Sequence, residues 1–197
     1  MWPVRLTEGE VVLRPLRHRD SAEWARLRAA NGAWLAPWEA TSPRPWVSRP
    51  PTFPEYVRDL NRQARSGSAL PFAITWRGAI VGQLTVSGIV LGSLCSASVG
   101  YWVGRDAAGR GITPLAVAMA SDYCWFVLGL HRIEVNIRPE NAASLRVVEK
   151  LGFRDEGVRV RYLHIQGDWA DHRTFALTVE EVPGGLLPRA RQLPSRL

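Results

Sequence analysis

Two cysteines in 197 residues, Cys95 and Cys124, are too few for a disulfide framework. Both lie in apolar runs, so the default is free buried thiols in a reducing compartment, and a cytoplasmic location is expected. The opening Met1-Trp2-Pro3-Val4-Arg5 lacks the pattern of a signal peptide, and no apolar run reaches the roughly 20 residues of a membrane helix. Also missing is the Gly-Lys-Ser/Thr of a nucleotide P-loop. A dinucleotide fingerprint would need a small residue where Pro114 stands. Acidic residues are outnumbered: 18 Asp and Glu against 25 Lys and Arg leave a net charge of +7. That balance points to an anionic partner, such as a phosphorylated cofactor, RNA or a ribosome surface. Scattered basic residues also fit a chain that is simply rich in arginine. No internal repeat and no linker interrupt the sequence. A 46% hydrophobic chain of this length suffices for one globular domain, 1–182, followed by a basic Pro/Arg-rich tail, 183–197, expected to be mobile.

What the chain does have is a strand, a glycine-rich turn and a helix start in direct succession. Val99 to Val103 reads as strand, and Gly109-Arg110-Gly111 as turn. Thr113 is read as the helix N-cap and Pro114 as the first helical residue. The glycines let the backbone pass close to another body. The amides of Gly109, Arg110, Gly111, Ile112 and Thr113 would then be free at a helix N-terminus, a ready site for a pyrophosphate. The apolar run Leu115 to Leu128 predicts a buried helix lying close on a sheet.

Before this stretch, Val11 to Leu16 reads as a strand. A helix follows from Asp20 or Ser21 through Arg28, with Ala22, Trp24, Ala25 and Leu27 as inward candidates. Residues 31–54 form an irregular segment anchored by Trp34, Trp38, Trp46 and Phe53, either a self-packed loop or one wall of a cleft. A helix over Glu55 to Arg65 and a hairpin of Leu70–Trp76 with Ala79–Val86 lead to a third strand, Ser96–Val103. After the apolar helix, Ile133, Val135 and Ile137 alternate with Arg132, Glu134 and Asn136, giving a strand parallel to the one before that helix. Asn141 caps a helix from Ala142 to Leu151, closed by Gly152, and a final hairpin turns at Gln166-Gly167-Asp168. The order β-α-α-β-β-β-α-β-α-β-β predicts a mixed α/β fold.

The turn Ala108-Gly109-Arg110-Gly111-Ile112, the strand His131 to Val135 and the run Glu140-Asn141-Ala142-Ala143-Ser144 through Glu149-Lys150-Leu151-Gly152-Phe153 resemble the Gcn5-related N-acetyltransferase (GNAT) superfamily. The last run, with Tyr162-Leu163 through Asp171-His172, is similar to the RimJ/RimL branch, which acetylates N-terminal amines of ribosomal proteins. The resemblance spans roughly residues 11–181. It implies a mostly antiparallel central sheet with one splayed parallel strand pair and helices on both faces, and acetyl-CoA as cosubstrate, with no metal. The pantetheine arm would pair with the backbone of Tyr101, Trp102 and Val103. The pyrophosphate would sit on the amides of Gly109 to Thr113, with Arg105 and Arg110 adding charge, and Asn141 would bond pantetheine.

Two departures matter. Ala108 and Thr113 do not match the superfamily's glycine-turn pattern, and Val148 stands where many relatives carry a tyrosine acid; the RimJ/RimL-like alternative that the resemblance implies is Ser144. Attack of an amine on a thioester needs a proton acceptor, an oxyanion donor and an acid near sulfur. An α-amine with pKa about 7.7–8.0 is already about one-tenth neutral at pH 7, whereas a lysine amine is not, so an α-amine tolerates a weak base. Glu134 and Glu39 are the candidates for it; Asp171 and His172 fit better as residues that orient the last hairpin. Three readings follow: an N-acetyltransferase acting on a protein N-terminus, the same chemistry on a small amine, or a non-catalytic acyl-CoA-binding or ribosome-associated module. The chain is expected to be a monomer or homodimer without membrane contact.

Overall fold

The structure is a computed structural model that describes residues 2–44 and 49–193, so the expected anchor Trp46 lies outside the described residues. Two short strands open the chain, β1 (Leu6–Glu8) and β2 (Val11–Pro15). Three helices follow: α1 (Ser21–Ala30), α2 (Gly32–Leu35) and α3 (Phe53–Arg65). Thr52 and Glu55 form a capping box at the start of α3, reciprocally satisfying two amides at the helix start. Strands β3 (Ala69–Trp76), β4 (Ala79–Val90) and β5 (Ser96–Val103) lead into α4 (Ile112–Phe126), β6 (Arg132–Ile137) and α5 (Ala142–Leu151). The chain closes with the hairpin β7 (Arg154–Ile165) and β8 (Asp168–Thr178), then α6 (Leu187–Arg191).

The eight strands form one sheet in the order β1-β2-β3-β4-β5-β6-β8-β7. Its pairs are antiparallel except β5–β6, which α4 connects as a parallel crossover. Helices cover both faces. On one face Ala116, Val117, Ala118 and Ala120 of α4 are almost wholly buried, and their small side chains bring the helix close to Leu13, Phe72, Ile74, Leu84 and Ile133. On the other, Val57 of α3 packs with Leu16, Ala73 and Ile80. Strand β3, covered on both sides, is therefore buried at seven consecutive residues instead of alternating. On β6 the alternation predicted from sequence holds, with Ile133, Val135 and Ile137 buried.

The parallel pair is short. Only Ser96↔Arg132, Ala97↔Ile133 and Ser98↔Glu134 face each other. Beyond them β5 stays with β4, through Val99↔Val86 to Val103↔Gly82, while β6 stays with β8, through Val135↔Phe175 to Ile137↔Arg173. The sheet thus opens into a V, and among the described residues one edge of β5 has no neighbouring strand beyond Ser98.

Several expectations change. Helix α4 starts at Ile112 with Gly111 as N-cap in the left-handed region (φ 77°), so Thr113 and Pro114 lie inside the first turn. Proline is tolerated there because the amides of that turn have no intrahelical acceptor. On α1, Ala22 and Ala25 are exposed; Trp24 and Leu27 are half-buried together with Glu23 and Arg28. Cys124 is buried, and burial pushes its thiol pKa up to about 12, but Cys95 is only partly covered. The segment expected as a mobile tail is docked as far as it is described. Leu186 is fully buried, its amide and that of Leu187 donate to Asp122, and the Arg191 guanidinium donates twice to Glu8.

Candidate active site

The V between β5 and β6 opens onto a cleft of about 1080 Å³. One half is built from the glycine turn and α5: Gly109, Gly111, Ile112 and Thr113 on one side, Asn141 to Ser144, Arg146, Val147 and Lys150 on the other. Gly109 and Gly111 both have positive φ, and a Cβ on either would meet nothing within 4 Å. The turn therefore faces open space. Among the described residues the amides of Gly109 to Thr113 have no hydrogen-bond acceptor, and the first amide of α4 to find one is Leu115, on Gly111 O at 3.3 Å. These are the donors expected for an anion.

Positive charge reaches this half from α5 instead of from the turn. Arg110 turns away: its Nε donates to Asp106 O at 2.7 Å and its guanidinium stacks on Trp76. Arg105 also lies outside the cleft lining, although its amide donates to Asn31 Oδ1 at 2.8 Å. Arg146 and Lys150, the chain's one lysine, line the cleft one helical turn apart. Their i, i+4 spacing on a helix capped by Asn141 is the sequence signal that marks them. Asn141 caps α5 as expected, with Oδ1 accepting the Ser144 amide at 3.1 Å.

The other half of the cleft is aromatic. Trp24 of α1, Trp34 and Trp38 of the irregular segment, Phe53 and Tyr56 of α3 and Trp102 of β5 line it. For the described residues of this segment, the cleft-wall reading is thus the one the geometry supports. Trp24 meets Trp102 edge to face at 5.4 Å. The Trp34 Nε1–H donates to Val103 O at 3.0 Å, so that carbonyl is already engaged, while Tyr101 and Trp102 line the open edge. The Tyr56 hydroxyl donates to Gln83 Oε1 at 2.9 Å, and burial pushes its phenol pKa up. Asn31, buried at the end of α1, holds the glycine turn against that helix by accepting the Arg105 amide and donating to Leu27 O.

The two candidate bases part company. Glu39 lines the cleft but is ion-paired with Arg28, whose guanidinium also lies over Trp102. Glu134 does not line it. One carboxylate oxygen accepts from Arg132 Nε at 2.9 Å and the other from Arg159 Nη2 at 2.8 Å, so Glu134 ties β6 to β7. Arg132, two residues away on the same strand, is a partner the sequence offers; Arg159, 25 residues on, is not. Glu140 also lines the cleft, paired with Arg138 at 3.2 Å. Arg138 in turn donates to Pro37 O and lies over Trp38, fastening the aromatic wall to the end of β6. Asp171 and His172 have hairpin duties. Asp171 accepts the Arg161 amide at 2.7 Å in a bulge, and the buried His172, its pKa lowered first by desolvation, donates from Nδ1 to Ala170 O. Among the described residues no group of three or more His, Cys, Asp or Glu is placed to hold a metal, and no helix is long and apolar enough to cross a membrane.

A family model described as an acetyltransferase (GNAT) domain matches residues 10–154. The chain is 32% identical over 190 residues to the [ribosomal protein uS5]-alanine N-acetyltransferase of Escherichia coli, covering 92% of this chain and 94% of that one. The structure of Mycobacterium smegmatis RimJ in complex with CoA-disulfide superposes with a TM-score of 0.89 at 42% identity, covering 95% and 93% of the two chains. The ribosomal-protein-S5-alanine acetyltransferase of Vibrio fischeri gives 0.77 at 26% identity, over 89% and 96%.

Proposed function

Because the chain belongs to the GNAT acetyltransferase family, we propose that it moves the acetyl group of acetyl-CoA onto the N-terminal α-amine of a protein, of the kind its ribosomal-protein-alanine relatives modify. The observation that carries this reading is the three-rung β5–β6 pair opening into a two-part cleft, with free main-chain donors at one end and aromatic rings at the other. The residues present fit acetyl-CoA. The amides of Gly109 to Thr113 suit its pyrophosphate, and Arg146 and Lys150 add cationic charge. The unpaired edge at Tyr101 and Trp102 offers main-chain groups to the pantetheine arm, beside Asn141 and Ser144.

In this cleft the amine nitrogen attacks the thioester carbon and the carbon–sulfur bond breaks with its electron pair on sulfur. A main-chain amide of β5 stabilises the oxyanion, and Ser144 assists the departing sulfur. The acidic residues that line the cleft among those described, Glu39 and Glu140, are both held by arginines. Neither is a free strong base. An α-amine, partly neutral at pH 7, needs none, because Glu39 or a water chain suffices; a lysine side chain would. The same pairing disfavours a polycationic small amine, which would need several free carboxylates to bind it.

The test is CoA thiol release from acetyl-CoA over a panel of N-terminal peptides and small amines. Turnover with N-terminal alanine peptides and not with polyamines is expected. Turnover with small amines alone would move the substrate to that class, and CoA binding without thiol release would make the chain a non-catalytic module.

A further inference from the structure

Tyr101 carries a group that the reading above leaves without a use. Along β5 its side chain falls on the same face as the buried Ala97 and Val99, toward α4 and α5, whereas Trp102 points across the sheet to α1. The Tyr101 hydroxyl is wholly buried and, among the described residues, has no hydrogen-bond partner of good geometry, although the Ser144 hydroxyl lies beside it. The polar group it faces is the Ser144 hydroxyl, and both residues line the cleft at the V. Desolvation raises the phenol pKa far above its ordinary value, so Tyr101 stays protonated and keeps an O–H to donate.

A buried O–H without an acceptor destabilises the resting protein, and phenylalanine would fill the same space without that cost. An orphan of this kind calls for a state in which it is satisfied. Ser144 is the acceptor in reach. Its amide is already held by Asn141, so its backbone is fixed while its hydroxyl is free to rotate.

We propose that Tyr101 is a positioning residue for Ser144: the phenol donates to Ser144 Oγ and thereby turns the serine O–H into the gap, toward the sulfur that leaves. The inference rests on the acetyl-transfer reading. As nitrogen bonds to the acetyl carbon and the carbon–sulfur pair goes to sulfur, Ser144 donates a hydrogen bond to the forming thiolate. The amine proton leaves to water, and Tyr101 keeps its own proton throughout.

Tyr101→Phe, Ser144→Ala and the double variant test this, with acetyl-CoA and an N-terminal alanine peptide as substrates. Tyr101→Phe is expected to lower kcat about tenfold, the size of one lost hydrogen bond to a developing charge, with KM for acetyl-CoA and peptide little changed. Its Tm should equal or exceed that of the native chain, because the buried orphan is gone. The double variant should be no slower than Ser144→Ala, since Tyr101 acts through the serine. Native-like kcat in Tyr101→Phe, a loss confined to KM, or losses that multiply in the double variant would each overturn the proposal. If those results come from a native chain that itself turns over, the acetyl-transfer reading stands. A native chain that releases no thiol overturns both.

Discussion

At Gly82 a single methyl group has no room. A Cβ there would lie 2.1 Å from Trp102 O and 2.9 Å from Val103 Cα, and neither is a side-chain atom that can swing aside. Gly82→Ala should therefore push β4 from β5 beside the V, costing about 2 kcal/mol as overpacking does, read as a lower urea midpoint. Gly111 is the opposite case, because space is open around it but its φ of 77° is one that L side chains rarely adopt. Gly111→Ala should cost about 1 kcal/mol of stability. Its methyl also borders the free amides, so KM for acetyl-CoA should rise about tenfold, a loss of about 1.4 kcal/mol of binding, with kcat retained. Asp20 sets a pH limit. Burial alone would raise its pKa, but two bonds from Arg14 and one from the Arg17 amide hold it below the ordinary value. A depressed carboxylate stabilises the fold above its unfolded pKa of about 3.9 and loses that contribution as pH falls through the folded value. Asp20→Ala strands the largely buried Arg14 and should cost about 3 kcal/mol at pH 7, with a flatter acid limb in the unfolding curve.

Elements were legible where one periodicity acts alone. Strand β6 and helix α5 could be read from sequence because alternation, the Asn141 cap and the Gly152 stop all agree. Asn141→Ala tests how much of the site depends on that cap. It should cost about 1 kcal/mol of stability and raise KM for acetyl-CoA, since the first turn of α5 carries Ser144. Helix α4 starts two residues before the point its sequence indicates. Thr113-Pro114 carries a strong local signal, but the left-handed Gly111 already begins the helix, and backbone handedness at a glycine is not encoded by its neighbours' side chains. The site shows the same division. The glycine turn was legible because it is local in sequence. The Arg28–Glu39 pair, the Arg159 clamp on Glu134 and the Trp34 bond to Val103 join residues 11 to 69 apart, and no local pattern of sequence displays them.

Across the whole molecule, the excess of positive charge invites an RNA-binding role for the basic tail, and the described structure directs that charge elsewhere. Arg189 donates to Leu151 O and Glu181 O, and Arg191 is fully engaged by Glu8 at the far end of the chain. Leu186 is sealed in the main core, and Asp122 of α4 accepts two amides from the segment. These are the contacts of a fastening that joins the last helix to the first strand across α4. Removing residues 183–197 should then act on stability. The loss of one buried leucine, together with a half-buried carboxylate left without its donors, amounts to about 4 kcal/mol in urea unfolding. Asp122→Ala, which keeps the apolar contacts, should cost about half of that. Co-sedimentation with ribosomes at low salt, measured on the same truncated chain below its unfolding midpoint, should not change. If instead the unfolding midpoint holds and co-sedimentation falls with a reduced salt dependence, the segment is an arm for phosphates and its docked contacts are incidental.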